Sequence, residues 1–110
     1  MALDLDQADR TLLSLLQADG RATIADLART VGLSPAATHA RVRRLERDGL
    51  IREYVAIVDR ELAGFDLLCF ISVSLQLHRP KLVASLPPRI AAMPEVLECH
   101  HLTGEYDYLL

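Results

Sequence analysis

Arg41, Arg43, Arg44 and Arg47 lie within seven consecutive positions of a 110-residue chain. A guanidinium is permanently charged, planar and rich in donors. Its chemistry is the recognition of oxyanions and guanine edges, not bond making. The four sit in residues 33–51, LSPAATHARVRRLERDGLI, where the only acids are Glu46 and Asp48. Ser34 can cap a helix with its hydroxyl, and Pro35 suits the first helical position, where its missing N–H costs nothing. Asp48-Gly49 closes the far end, with glycine free to turn left-handed. Thr38, Val42 and Leu45 fall on one stripe at i, i+4 and i+7. The spacing predicts a helix with a mildly apolar back and a basic front, fit for a nucleic-acid groove. A solvated surface helix is the plainer alternative, and the elements around it decide between the two.

Other chemistry is sparse. No activated nucleophile, phosphate-binding glycine loop or paired-carboxylate signature is apparent, which points away from an enzyme. Cys99, His100 and His101 could suggest a metal site. Adjacent strand residues point to opposite faces, so the histidines read as structural or interface groups, and neither metal nor cofactor is expected. The two cysteines, Cys69 and Cys99, are too few for a disulfide framework and lie in apolar runs. Buried free thiols in a reducing cytoplasm are the expectation. No apolar run approaches the ~20 residues that span a bilayer, and the N-terminus MALDLDQADR is unlike a signal peptide.

The net charge of −3 argues against a uniformly basic nucleic-acid binder. Its distribution says more. Residues 20–52 hold seven arginines against three acids, a net of +4; residues 61–110 hold three basic residues against six acids, a net of −3. Segregated charge implies a DNA-facing part and a part with another job.

The elements that position the basic helix can be taken in order. Asp6 opens a first helix as N-cap, with Asp9 at N3 in the manner of a capping box. Ala8, Leu12, Leu15 and Leu16 repeat at helical spacing, and Asp19-Gly20 ends the run. Thr23 opens a second helix with Asp26 three residues on; Ile24, Leu27, Ala28 and Val31 form its inner stripe, and Gly32 breaks it. With the helix from Ser34, this is a helix-turn-helix preceded by a third helix. After Gly49, Leu50-Ile51 and residues 54–58 read as two short strands of a wing. Residues 59–64 read as a hinge.

From Asp66 the period becomes two. Leu67, Cys69, Ile71, Val73, Leu75 and Leu77 share one face, but Leu68 and Phe70 lie on the other. A strand apolar on both sides is covered on both, so a partner subunit is expected there. Two-fold pairing would set two recognition helices about 34 Å apart and favour a palindromic site. Pro87-Pro88 should interrupt the following helix, leaving residues 81–86 as a separate turn or a kinked segment and 88–93 as a short helix. Residues 96–103 read as a strand, 104–106 as a turn, and 107–110 as the start of another strand.

Three stretches together resemble the Lrp/AsnC (leucine-responsive, feast/famine) transcription regulators of bacteria and archaea. They are LDQADRTLLSLLQADGR, LARTVGLSPAATHARVRRLERDGLI and ECHHLTGEYDYLL. The resemblance implies an α+β chain: a winged helix-turn-helix over residues 1–58, a hinge at 59–64, and over 65–110 a ferredoxin-like (βαββαβ) effector domain lacking its last helix and strand. It implies a truncated gene product or a fragment, a homodimer that assembles further, often to an octamer, and a small effector such as an amino acid. Effector contacts would fall on Gly104, Glu105, Tyr106 and Asp107, dimer contacts on Leu68 and Phe70. DNA contacts would fall on Ser34, Thr38, His39, Arg41, Arg43, Arg44, Arg47 and Arg52. Family members usually carry serine or threonine where this chain has Ala36 and Ala37, which shifts polar contacts onto Thr38, His39 and the arginines, although Thr38 sits where the family often buries valine. The double proline is also unusual for the family.

Two other readings compete with a sequence-specific regulator of double-stranded DNA. One is a tetrapyrrole (siroheme) decarboxylase subunit, since some of these resemble the family in both domains; the basic helix argues against it. The other is a truncated modulator that acts through mixed oligomers with longer paralogues.

Overall fold

The computed structural model describes residues 2–77 and 79–110. The chain divides into two compact units, Met1–Val58 and Asp59–Leu110.

The first unit is three helices, each begun and ended by chemistry local to it. Helix α1 spans Gln7–Ala18. Asp6 Oδ1 accepts the Asp9 N–H at 2.9 Å and Asp9 Oδ2 accepts the Asp6 N–H at 3.3 Å, a reciprocal capping box. Helix α2 spans Ile24–Val31, with Thr23 Oγ1 accepting the Asp26 N–H at 3.1 Å. It stops at Gly32, whose φ of 72° is the left-handed conformation that a side chain would strain. Helix α3 spans Pro35–Arg47, capped by Ser34 Oγ accepting from the Ala37 N–H. Leu12, Leu27 and Val42 meet at the centre, with Leu15, Leu16, Ala22, Ile24 and Val31 packed around them.

The wing strands expected after α3 do not form among the described residues. The Leu50 and Ile51 N–H groups both donate to the Leu45 carbonyl, at 3.0 and 3.1 Å, closing the helix end through Gly49 at φ 79°. Donors spent on a helix cap cannot also build a ladder. Residues 54–58 have no neighbouring strand. Tyr54 is instead anchored by its hydroxyl, which donates to Glu46 Oε1 at 2.9 Å.

The second unit opens with a closed turn at 59–65, where Asp59 Oδ1 accepts the Leu62 N–H and the Phe65 N–H reaches the Arg60 carbonyl at 2.7 Å. Three short strands follow: β1 (Ser72–Val73), β2 (His100–His101) and β3 (Tyr108–Leu109), in the antiparallel order β1-β3-β2. Helix α4, Pro80–Ala91, lies between β1 and β2 in the chain. Of the long strands expected at 66–77 and 96–103, the pairs that form among the described residues are Ser72–Val73 and His100–His101. The register places Ser72 opposite Leu109, with Ile71 and Leu110 exchanging two further hydrogen bonds, so residues before Ile71 meet no strand.

Two further expectations are corrected here. Helix α4 runs without a break through Pro87 and Pro88. Pro87 cannot donate to the Val83 carbonyl four residues back. The Tyr108 hydroxyl takes that carbonyl instead, donating at 3.3 Å from the buried centre of the unit. Both cysteines are free, but Cys69 is exposed and Cys99 only half-buried. Cys69 lies on the unladdered stretch, both faces of which are open: Leu67, Leu68, Phe70 and Ile71 are all exposed.

Candidate nucleic-acid interface

Packing of the first unit decides which face of α3 is available. Thr38, Val42 and Leu45 are all buried. The 100° per residue of an α-helix then turns Ala36, Ala40, Arg43 and Arg47 outward. All four are exposed. The four arginines of the basic front are not equivalent. Arg43 and Arg47 have side chains 68% and 73% exposed, tethered at 3.3 Å to Glu46 and Asp48, their neighbours on the same helix end. Arg41 and Arg44 are 30% and 40% exposed and reach back to the start of α1.

There they meet the capping-box acids. Arg41 Nη1 donates to Asp6 Oδ2 at 2.6 Å and to Asp9 Oδ1 at 3.1 Å, and Arg44 Nη2 pairs with Asp9 Oδ2. Asp9 is 1% exposed. A carboxylate so buried is tolerable only when paired and hydrogen-bonded, and here it has two cations and a backbone donor. The Asp9 backbone N–H, and then the Arg41 guanidinium, hold the Asp6 carboxyl below the usual carboxylate range, while the Asp6 carboxylate, and then that of Asp9, hold Arg41 more firmly protonated. Glu46 joins α3 to the segment behind it by accepting from Arg43 and from Tyr54. Burial, and then the Glu46 carboxylate, pushes the Tyr54 phenol up.

The remaining DNA-facing expectations sort as follows. Ser34 is exposed, and its hydroxyl caps α3. His39 and Arg52 are exposed. Thr38 does not reach the outer face: it is 0% exposed, because it belongs to the inner stripe, and its Oγ1 has no hydrogen-bond partner among the described residues. The acidic cluster on Arg41 and Arg44 was not legible in the sequence. Asp6 and Asp9 carry a clear local signal as caps, but nothing local marks their pairing with cations 32 and 35 residues away.

In the second unit Gly104, at φ 125°, turns the chain between β2 and β3, with Glu105 and Tyr106 exposed beside it. Asp107 is half-buried and ties the turn to the end of β1. Its Oδ2 accepts the Leu75 N–H at 2.6 Å, its N–H donates to the Val73 carbonyl, and its carbonyl accepts from Leu102. Leu68 and Phe70 are 50% and 78% exposed. His100 contacts Glu98, while the His101 ring packs on Tyr108 with centroids 5.1 Å apart, so the two imidazoles diverge. Among the described residues no cluster of three metal-ligating side chains occurs, and no helix is long and apolar enough to cross a membrane.

A capped basic helix packed as the third of a helix-turn-helix unit, followed by a small antiparallel sheet with one helix, defines a class of two-part helix-turn-helix chains. Comparison with known proteins narrows it. Residues 5–52 match the winged helix-turn-helix DNA-binding family, and residues 68–110 match the Lrp/AsnC ligand binding domain. The chain is 39% identical over 107 residues to the leucine-responsive regulatory protein of Escherichia coli K12, a match covering 97% of this chain and 65% of that protein. It therefore spans about two-thirds of the length of the curated relatives it matches. A crystal structure of an AsnC family transcriptional regulator from Agrobacterium tumefaciens superimposes with a TM-score of 0.90 at 33% identity, covering 96% of this chain and 69% of that one. A Neisseria meningitidis transcriptional regulator, solved as its complex with L-Met, gives 0.90 at 37% identity, covering 96% and 68%. The chain belongs to the Lrp/AsnC family.

Proposed function

We propose that this chain is a DNA-binding transcription regulator of the Lrp/AsnC type that responds to a small effector such as an amino acid. The observation that carries the reading is the exposed outer face of α3, where Arg43 and Arg47 stand opposite a fully buried stripe. They, with His39 and Arg52, would supply phosphate and base-edge contacts to double-stranded DNA. Residues 1–58 would be the DNA-binding part, 59–64 the hinge, and 65–110 the effector and dimerisation part, in the cytoplasm. Support for an amino-acid effector comes from the L-Met complex of the Neisseria relative and from the family of residues 68–110. The contacts would gather at Gly104, Glu105, Tyr106 and Asp107. Exposure of Leu68 and Phe70 beside Leu67 and Ile71 supports a homodimer or larger assembly, because a small domain loses stability by leaving such side chains wet.

The test is DNA binding by fluorescence anisotropy across a salt series. Replacing Arg43 and Arg47 together by alanine should lower the log–log salt slope by about 1.8, at roughly 0.9 per phosphate contact. An unchanged slope and affinity would show that this face does not meet DNA.

A further inference from the structure

The ion cluster at the start of α1 reaches two of the arginines that a basic recognition helix would otherwise offer to DNA. Asp6 and Asp9 together carry the charge that balances Arg41 and Arg44. The halves of the cluster differ. Asp9 is buried and holds both guanidiniums, whereas the Asp6 side chain is 54% exposed and holds only Arg41. If Arg41 swung out to solvent, Asp9 would keep Arg44 as its counter-ion, so no buried charge would be left unpaired. Asp6 would rehydrate and still cap α1 through its other oxygen, which accepts the Asp9 N–H. Release of Arg41 therefore leaves Asp9 its ion pair with Arg44 and gives up, at Asp6, only a solvent-exposed contact.

We propose that Asp6 is an autoinhibitory contact: its carboxylate competes with DNA phosphate for the Arg41 guanidinium and keeps that arginine off the duplex. The inference rests on the reading of α3 as the DNA-binding helix. Exposed ion pairs are weak, so the competition is a modest attenuation and not a lock.

The test compares parent, Asp6→Asn, Asp6→Ser, Arg41→Ala and Asp6→Asn/Arg41→Ala on one duplex by anisotropy across a salt series. Asparagine and serine both remain good N-caps, and a thermal melt verifies that each variant folds. With Asp6 neutralised, affinity at low salt should rise roughly two- to five-fold. The salt slope should steepen by about 0.9, one added phosphate contact. Arg41→Ala alone should bind no tighter than the parent, and the double variant should lose the gain. A gain is informative because a structural defect at the cap would weaken binding. Unchanged binding in both Asp6 variants, while the Arg43/Arg47 double variant weakens it, would overturn this inference and leave the DNA reading standing. A gain that persists without Arg41 would mean plain charge repulsion and also overturn it. No salt-dependent binding by the parent would overturn both.

Discussion

Replacing Thr38 by valine should stabilise the first unit. Thr38 is 0% exposed in the middle of α3, and its hydroxyl has no hydrogen-bond partner among the described residues. A buried hydroxyl that has lost its water and gained nothing costs about 1–3 kcal/mol. Valine has nearly the same shape, so its methyl can occupy the oxygen's place with little strain. The two residues also have similar helix propensities, so backbone effects largely cancel. The expected gain is roughly 1 kcal/mol, the lower end of that range, because some strain accompanies any core replacement. For a unit of this size that is an upward shift in melting temperature of about 4–8 °C. Urea unfolding followed by circular dichroism would measure it, with amide exchange at Val42 and Leu45 reporting on this unit alone. Thr38→Ser is the counterpart: it keeps the stranded hydroxyl, removes a methyl, and should cost about 1 kcal/mol. DNA affinity at fixed salt should be the same for Thr38→Val as for the parent, since the side chain reaches no surface. If Thr38→Val unfolds at or below the parent's denaturant midpoint, the hydroxyl has a partner after all and the reasoning fails.

Other perturbations probe the remaining contacts. Asp9→Asn should destabilise the first unit by about 2 kcal/mol, less than for a fully buried pair because the guanidiniums it abandons are partly exposed; a chemical melt within error of the parent would deny the cluster a structural role. Tyr108→Phe should cost the second unit about 1 kcal/mol by leaving the Val83 carbonyl unpaired. Adding Pro87→Ala should recover that loss, since an alanine N–H restores the helical bond; failure of the double variant to recover would refute the substitution of tyrosine for a helix donor. The Asp6 carboxyl titrates low in the folded chain, so the stability it contributes is full above the ordinary carboxylate pKa and is lost as pH falls through the depressed folded value. Helicity of α1 should accordingly hold to about pH 4 and decline below it, and Asp6→Asn should show a smaller acid loss, read by circular dichroism.

The helices of the first unit were legible because their signals are local. A capping side chain and the N–H it accepts are three residues apart, as at Asp6, Thr23 and Ser34. The left-handed glycines at 32 and 49 follow their helices directly. The stripe of Thr38, Val42 and Leu45 repeats at the helical period. The second unit was less legible. Period-two patterning marks which residues are extended, but a ladder needs a neighbour, and only Ser72–Val73, His100–His101 and Tyr108–Leu109 find one. The second apolar face at Leu68 and Phe70 was readable as needing a cover, and in this chain both side chains are exposed.

The sequence by itself determined the helix-turn-helix, its boundaries, the basic character of α3 and the change of period that separates the two units. Each depends on residues within one or two turns of one another. Tertiary structure decided which arginines face outward, since Arg41 and Arg44 are claimed by acids more than thirty positions away. It also decided that the Thr38 side chain is buried, where the sequence allowed both the inner stripe and a DNA contact. Finally, where Pro87 lacks the donor for the Val83 carbonyl, it brought in Tyr108 from another element to supply one. Pairings between distant residues leave no periodic trace in a sequence; they exist only once packing has brought the partners together.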